Sequence, residues 1–321
     1  MRFVIIGAGA IGGVVGARLY QAGRDVVLVA RGAHREAIAA RGLTLETPRE
    51  RVILPIAVAG APDEVSFAAE DLVLLATKSQ DSEAALEALR DAAAPPPAVV
   101  CLQNGVANER AALRRFAHVY GGVVMAPTAH MEPGVVQAYG AALTGAIDVG
   151  RYPSGVDDRA RTLCDALRAA RFSSEPRTDI MRLKYAKLIA NLANAVQAIC
   201  GAEADAGELV ERARKEGRAV LRAAKIEFAA DDVGDVRGRW ERWEVGSIGG
   251  RSRAGGSTWQ SVTRGADSVE TDYLNGEVVL CGRLLGMATP VNELLQALAR
   301  ETVRDRHAPG WLTPGEILAR L

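Results

Sequence analysis

A glycine pattern near the start of the chain has the spacing of a dinucleotide-binding turn. Gly7, Gly9 and Gly12 follow G-x-G-x-x-G directly after the apolar residues 3–6. In this pattern the first glycine permits a tight turn, the second lets the backbone approach a pyrophosphate, and the third lets a helix pack against the strand. The first N–H groups of that helix have no partner within the helix, so they attract phosphate. The predicted cofactor-binding residues of this turn are Gly7, Ala8, Gly9, Ala10, Ile11 and Gly12.

Basic residues after two further apolar segments favour NADP(H) as the cofactor. Arg31 follows the segment 25–30, at the place where NAD-preferring folds carry an acid for the ribose 2′-hydroxyl. A guanidinium there can bind a 2′-phosphate through two hydrogen bonds, and residues 32–35 add donors nearby. Lys78 follows the apolar segment 71–77 and is predicted to face the same ligand crevice. If Arg31 were only a solvated side chain, the choice between NAD and NADP would stay open.

A second group of residues that can do chemistry lies in the C-terminal half. Lys187, Asn191 and Asn194 recur at i, i+4 and i+7 in a helix predicted over residues 179–194, so they share one face. Hydride transfer to a ketone builds negative charge on its oxygen, and a lysine can both stabilise this charge and donate a proton. Buried amides need hydrogen-bond partners, so this stripe is predicted to line a cleft that faces the nicotinamide. The alternative is a helix that packs the amides against other helices or exposes them to water.

Three further residues are candidates, each with a structural alternative. Asn104 lies in the turn after the apolar segment 98–102, where its amide can hold the nicotinamide or the substrate, or can serve only to form the turn. Glu270 is predicted in the first turn of a helix that runs to Leu285, where it can hold a catalytic lysine or merely favour the helix start. His130 lies in a loop, and we interpret it as a structural hydrogen-bonding residue rather than a proton donor.

The hydrophobic patterns predict an α/β fold ahead of a helical region. The short apolar segments do not alternate with polar residues, as is typical of parallel strands that are covered on both faces. Residues 135–139 and 142–144 are predicted to form a hairpin. Beyond residue 178 the strand-like segments disappear and helical periodicity dominates. The sequence therefore predicts a Rossmann-like NADP-binding domain over residues 1–178 and an all-α substrate and catalytic domain over residues 179–321.

The composition is that of an ordinary globular protein of 321 residues, 49% of them hydrophobic and 24% charged. Basic and acidic residues number 39 each, which argues against a nucleic-acid or membrane partner. The cysteines are far apart and form no C-x-x-C pair, as expected of reduced thiols, and no apolar segment reaches the ~18 residues of a membrane span. We therefore expect a cytoplasmic protein. The oligomeric state stays open, with a homodimer among the alternatives.

Taken together, these motifs resemble the ketopantoate reductase (2-dehydropantoate 2-reductase) family over nearly the whole chain. The residues that carry the resemblance are the glycine turn, Arg31, Lys78, 103–105, 187–191, Ser257 with Gln260, and 270–276. The resemblance implies that NADPH reduces the 2-oxo group of a small 2-oxo acid, ketopantoate, to give pantoate. It implies that Lys187 is the general acid and that Glu270 is the carboxylate beside the reacting oxygen and the cofactor ribose. It also implies contacts to the 2′-phosphate side of NADPH from Arg31 and Lys78, and to substrate or cofactor from Asn104, Asn191 and Ser257.

Two departures from the family pattern lie on the substrate side. The family has a second asparagine four residues after the first, but Ala195 occupies that position here and Asn194 lies one residue earlier, about 100° around a helix. One extra residue also lies between Arg264 and Glu270. These differences favour, as an alternative, a related reductase for a different branched 2-oxo acid. A non-catalytic NADP(H)-sensing protein is a weaker alternative, because it would not need a lysine and a carboxylate facing the nicotinamide.

Overall fold

A computed structural model describes residues 1–229 and 244–321, which divide into two compact units. One unit comprises Met1–Lys184 together with residues 244–253, and the other comprises residues 185–229 and Ala254–Leu321. The first unit contains the β-sheets and the second is helical. Among the described residues, no helix has the length and apolar character needed to cross a membrane.

Two sheets form the frame of the first unit. Its strands in chain order are β1 (Phe3–Ile6), β2 (Val26–Val29), β3 (Leu43–Glu46), β4 (Arg51–Leu54), β5 (Ala57–Ala59), β6 (Leu72–Leu75), β7 (Ala98–Cys101), β8 (Val119–Met125), β9 (Thr128–Ala129), β10 (Val135–Ala138), β11 (Gly145–Arg151) and β12 (Phe172–Ser173). The larger sheet has the order β12-β11-β8-β7-β6-β1-β2-β5, and the smaller has the order β4-β3-β10-β9. Within the larger sheet, the six neighbouring strands β5, β2, β1, β6, β7 and β8 all run parallel to one another. Strand β11 runs antiparallel to β8. The predicted Rossmann-like fold of this half is confirmed.

The central parallel strands β1, β6 and β7 of the larger sheet are buried on both faces. The helices of this unit are α1 (Ala10–Gln21), α2 (Gly32–Arg41), α3 (Ser82–Ala92), α4 (Asn108–Leu113) and α5 (Asp158–Ala169). In β1, Phe3 and Ile5 belong to one apolar cluster while Val4 and Ile6 belong to another, so successive side chains enter two separate cores. Each such burial contributes about 1.5–3 kcal/mol. Burial on both sides explains why the apolar segment shows no alternation in the sequence.

The smaller sheet lies against α1 and replaces the predicted hairpin. Strand β10 pairs in parallel with β3 and antiparallel with β9, whereas residues 142–144 form no strand. A Cβ added at Gly13 of α1 would lie 2.7 Å from Cγ1 of Val136, so β10 lies directly against this helix. Thr144 instead accepts a hydrogen bond of 3.0 Å from Nε of Arg18. The hairpin prediction is wrong because β10 pairs with β3, a strand from much earlier in the chain.

The second unit is built from helices that surround one apolar core. Its helices, the first of which begins within the other unit, are α6 (Ile180–Asn191), α7 (Ala193–Cys200), α8 (Gly207–Ala223), α9 (Ser257–Thr263), α10 (Asn275–Leu285), α11 (Pro290–Arg304) and α12 (Pro314–Leu318). Leu192, Leu209, Val278 and Leu295 are among the buried residues of this core. No strand occurs among the described residues beyond 178, so the predicted helical character of this half is confirmed.

The helix predicted over residues 179–194 is in fact two helices that meet at Leu192. Backbone carbonyls at the junction accept hydrogen bonds from side chains of other elements. Nη2 of Arg214 donates to the carbonyl of Ala190 at 3.3 Å, and Nδ2 of Asn275 donates to the carbonyl of Leu192 at 3.4 Å. Because these carbonyls have partners outside the helix, the helical hydrogen-bond ladder can be interrupted here.

Candidate cofactor and catalytic sites

Four neighbouring parallel strands end beside the predicted cofactor residues. The strands β2, β1, β6 and β7 are adjacent in the larger sheet. Arg31 follows β2, Gly7 follows β1, Lys78 comes shortly after β6, and Asn104 comes shortly after β7. The carboxyl ends of parallel strands lie at one edge of a sheet, where open α/β folds bind their ligands. The structure therefore brings these four residues to the same edge, which we call the strand-end site.

The glycine turn in this site has two positions that exclude a side chain and one that leaves space. Gly7 has a φ of +99°, and a Cβ there would lie 2.7 Å from the backbone nitrogen of Thr77. A Cβ at Gly12 would lie 2.0 Å from the carbonyl oxygen of Gly7. A Cβ at Gly9, in contrast, would meet no atom within 4 Å. The first and third glycines thus maintain the turn, while the second borders open space.

The start of α1 beside this space is suited to an anion. The helix begins directly after Gly9, and in the described chain no side chain caps it and no acid lies in its first turn. The first N–H groups of a helix lack partners in the helix and carry its positive end. Open space next to these groups fits the pyrophosphate of a dinucleotide.

Two cationic side chains flank the turn. The Arg31 side chain is 74% exposed, and its Nη2 lies 3.7 Å from Oδ1 of Asp81. An exposed ion pair of this kind contributes only about 0–1 kcal/mol, so the guanidinium can exchange Asp81 for a phosphate at little cost. Lys78 is half-buried and directly precedes the 3₁₀ turn Ser79–Asp81 that carries Asp81. Both cations thus follow strands that end at the strand-end site.

The turn that carries Asn104 is fixed by side-chain hydrogen bonds. Nε2 of Gln103 donates to Oγ of Ser82 at 3.0 Å, and Nδ2 of Asn108 donates to the carbonyl of Asn104 at 3.4 Å. Gly105 supplies a φ of +77°, which favours glycine. The amide of Asn104 makes no hydrogen bond to another described residue, so it can bind a ligand from a fixed turn.

A buried ion pair beneath this turn was missed by the sequence analysis. Nζ of Lys184 donates to the carbonyl of Gln103 at 3.0 Å and also to Oε1 of Glu109. The side chains of Lys184 and Glu109 are 3% and 0% exposed. Burial raises the pKa of Glu109, and the Lys184 ammonium offsets part of this rise. No pattern in the sequence distinguishes these two residues from surface charges, because each lies among other charged residues.

The predicted substrate and catalytic residues Lys187, Asn191, Ser257 and Glu270 all belong to the second unit. Lys187 and Asn191 lie one turn apart on α6, and both are half-buried. Nδ2 of Asn191 is buried and donates no hydrogen bond within the described part of the chain. A buried donor without a partner costs about 1–3 kcal/mol, so this amide is suited to an acceptor on a ligand.

Asn194 lies beside the start of α9, close to Ser257. A Cβ at Gly256, the residue before Ser257, would lie 3.1 Å from Oδ1 of Asn194. Asn194 belongs to α7, whereas Lys187 and Asn191 belong to α6. The predicted single stripe of three residues on one helix is therefore interrupted by the junction between α6 and α7.

Glu270 lies in a 3₁₀ turn, and His130 is close to a backbone carbonyl. Glu270 is 5% exposed and begins a short 3₁₀ turn, Glu270–Tyr273, rather than the first turn of α10. The predicted position is wrong because Leu274, with φ −116° and ψ −87°, separates the 3₁₀ turn from the helix. Nδ1 of His130 lies 3.0 Å from the carbonyl of Val135, in agreement with a structural role.

Comparison with known proteins identifies the family of both halves. Residues 3–154 match the family described as Ketopantoate reductase PanE/ApbA, and residues 179–303 match its C-terminal family. A 2-dehydropantoate 2-reductase of Pyrococcus horikoshii is 32% identical to this chain over 309 residues, which cover 94% of this chain and 97% of the relative. The corresponding enzyme of Archaeoglobus fulgidus is also 32% identical, over 93% of this chain and 97% of its own.

Solved structures show the same architecture. A PanE/ApbA family ketopantoate reductase from Ralstonia eutropha has a TM-score of 0.80 and 31% identity, with 95% of this chain and 99% of that chain covered. D-mandelate dehydrogenase, solved with NADH and anilino(oxo)acetate, also has a TM-score of 0.80, but at 24% identity this likeness concerns the fold alone. The family matches and these relatives extend over nearly all of the sequence. This chain therefore belongs to the ketopantoate reductase family.

Proposed function

We propose that this protein reduces the 2-oxo group of ketopantoate to give pantoate, with NADPH as the reductant. The family match carries this proposal, because relatives 32% identical over most of the chain are named 2-dehydropantoate 2-reductase. The strand-end site supports it, since it combines open space beside Gly9 with cations at Arg31 and Lys78. The protein is thus an NADP-dependent oxidoreductase that acts on a small 2-oxo acid.

In this proposal the cofactor lies on residues 1–178 and the substrate is held by residues 179–321. The glycine turn binds the pyrophosphate, and Arg31 and Lys78 bind the 2′-phosphate. When bound, NADPH supplies the hydride that adds to the carbonyl carbon. Asn104 orients the nicotinamide end or the substrate from the fixed turn after β7.

In this proposal the protein supplies the proton that the reduced carbonyl oxygen takes up. Lys187 donates it from Nζ to the carbonyl oxygen, on which negative charge develops during reduction. Asn191 and Ser257 hold the substrate by hydrogen bonds, and the buried unpartnered amide of Asn191 supports its part in this. By the family resemblance, Glu270 would supply the carboxylate for the reacting oxygen and the cofactor ribose. Fixing the substrate in this way lowers the entropic barrier to the reaction.

We also infer a cytoplasmic location, because all four cysteines are free thiols and three of them are buried. A homodimer is compatible with the sequence, and light scattering of the purified protein tests it.

The function is tested by following NADPH absorbance while ketopantoate is added. We expect NADPH oxidation that depends on ketopantoate concentration and yields one pantoate for each NADPH consumed. A panel of other branched 2-oxo acids, offered at matched concentrations, serves as the control. Faster turnover of any of these, with ketopantoate inactive, would overturn the substrate assignment while leaving the reaction class intact.

A different branched 2-oxo acid is the second candidate, and a feature of the substrate half favours it. Ala195 occupies the position where the family carries an asparagine, and it is buried, with 2% of its surface exposed. A methyl group there cannot replace the hydrogen bonds of an amide. Asn194 presents its amide beside Gly256 and so supplies a differently placed polar group. The substrate panel decides between the two candidates.

A further inference from the structure

The imidazole of His34 joins the glycine turn to the loop before β10. Its Nε2 lies 2.8 Å from the carbonyl oxygen of Ala8, within the glycine turn. Its Nδ1 lies 2.8 Å from the backbone nitrogen of Gly134, which directly precedes β10. Gly134 has a φ of +81°, and a Cβ there would lie 2.9 Å from Cβ of Ala37 on α2. This glycine therefore permits the loop to approach α2 closely enough to reach His34.

The two partners fix the protonation state of His34. The carbonyl of Ala8 can only accept a hydrogen bond, so Nε2 must carry the proton and donate it. The N–H of Gly134 can only donate, so Nδ1 must be unprotonated and accept. Both bonds exist together only in the neutral imidazole with its proton on Nε2. A second proton on Nδ1 would face the N–H of Gly134 and break that bond.

The surroundings of His34 also disfavour the charged form. The ring is half-buried, and the ring of His130 lies 4.2 Å away between centroids. Burial lowers the pKa of His34, and the hydrogen bond to Ala8 offsets only part of this effect. The glycine turn contributes no charged side chain. The other titratable or charged residues on the elements around it are Arg31 directly before α2, Arg35, Glu36 and Arg41 of α2, and His130 and Glu132 of the loop before β10.

We propose that His34 is a positioning residue for the cofactor, because only its neutral form joins the Ala8 peptide of the glycine turn to the loop before β10. The proposal rests on the proposed dinucleotide site, since Ala8 lies between Gly7 and Gly9. The free energy of nucleotide binding is thereby linked to deprotonation of His34. Nucleotide affinity is highest while His34 is neutral. It falls as the pH drops through the pKa of His34, which lies below the ordinary value of about 6.5.

The test is the dissociation constant of NADH and of NADPH, measured by fluorescence between about pH 8 and about pH 5. NADH is the decisive ligand, because it lacks the 2′-phosphate, which itself titrates near pH 6. For wild-type protein we expect the NADH dissociation constant to rise by up to about tenfold for each pH unit below the His34 pKa, as one linked proton requires. Circular dichroism at each pH verifies that the protein stays folded.

Three variants separate His34 from other titrating groups. His34→Gln keeps a donor for Ala8 but cannot titrate, so its NADH dissociation constant should vary with pH much less than that of wild type. His34→Ala removes both hydrogen bonds and should weaken binding by about tenfold at about pH 8. His130→Gln is the matched control and should keep the wild-type pH dependence. If His34→Gln followed the wild-type curve, or if His130→Gln alone removed the dependence, the proposal would be overturned.

The same titrations keep this proposal distinct from the proposed function. If wild-type protein bound neither nucleotide at about pH 8, the dinucleotide site itself would be wrong. If it bound both but showed no NADH pH dependence, only the role of His34 would fail.

Discussion

Replacing Gly9 by alanine should weaken NADPH binding without affecting the fold. Gly9 has φ −71° and ψ −156°, which alanine can adopt, and its added Cβ would touch no protein atom within 4 Å. The methyl group would occupy the space assigned to the pyrophosphate and push it away from the N–H groups at the start of α1. Loss of one hydrogen bond to a charged group costs about 1.5–3 kcal/mol. We therefore expect the NADPH dissociation constant to rise by about tenfold to a hundredfold.

Two other glycines provide the controls for this measurement. Gly207→Ala also introduces a Cβ without contacts within 4 Å, but in the second unit, and should change neither stability nor NADPH affinity. Gly12→Ala would place a Cβ 2.0 Å from the carbonyl oxygen of Gly7, and should lower the free energy of unfolding by about 1–3 kcal/mol or more. Urea unfolding and NADPH fluorescence titration are measured on all three variants. Wild-type NADPH affinity in Gly9→Ala would refute the assignment of the pyrophosphate to this space.

The remaining predictions concern single charged residues. Lys187→Ala should lower kcat by at least about a hundredfold with little change in NADPH affinity, because it removes the proton donor. The control is Lys215→Ala, which changes an exposed lysine of α8. Equal turnover in both variants would exclude Lys187 from the mechanism. Arg31→Ala should weaken NADPH binding by about tenfold or more and leave NADH binding nearly unchanged; equal losses in the two titrations would argue against a 2′-phosphate contact. Glu109→Gln should lower the free energy of unfolding by about 3–5 kcal/mol, because the Lys184 ammonium then stays buried without its counter-charge. Urea unfolding measures this change. Unchanged stability would show that the ion pair does not stabilise the fold.

Local sequence patterns were sufficient for the elements whose structure depends on near neighbours. The glycine turn could be predicted because Gly7 and Gly12 meet backbone requirements within one strand–turn–helix unit. Placing Arg31 and Lys78 at the same edge needed only the rule that parallel strands end together. The helical second half followed from periodicity, which a single helix imposes on its own residues.

Features that depend on distant partners were not predictable. Strand β10 pairs with β3, and nothing in residues 135–139 records that partner. The junction at Leu192 depends on Asn275, a side chain from another helix that satisfies the carbonyl. Glu109 looks like an ordinary surface residue of a charged helix until Lys184 is seen against it. In each case the deciding interaction joins residues that are far apart in sequence.

The Lys184–Glu109 pair limits how the turn after β7 can be exchanged between relatives. A loop graft that transplants residues 103–109 from a donor relative would bring a new residue to the position of Glu109 while leaving Lys184 in the recipient. Unless the donor also supplies a carboxylate at position 109, the ammonium of Lys184 would be buried without a counter-charge. The free energy of unfolding would then fall by several kcal/mol. In a chimera that folds, residue 184 and residues 103–109 should therefore come from the same parent protein.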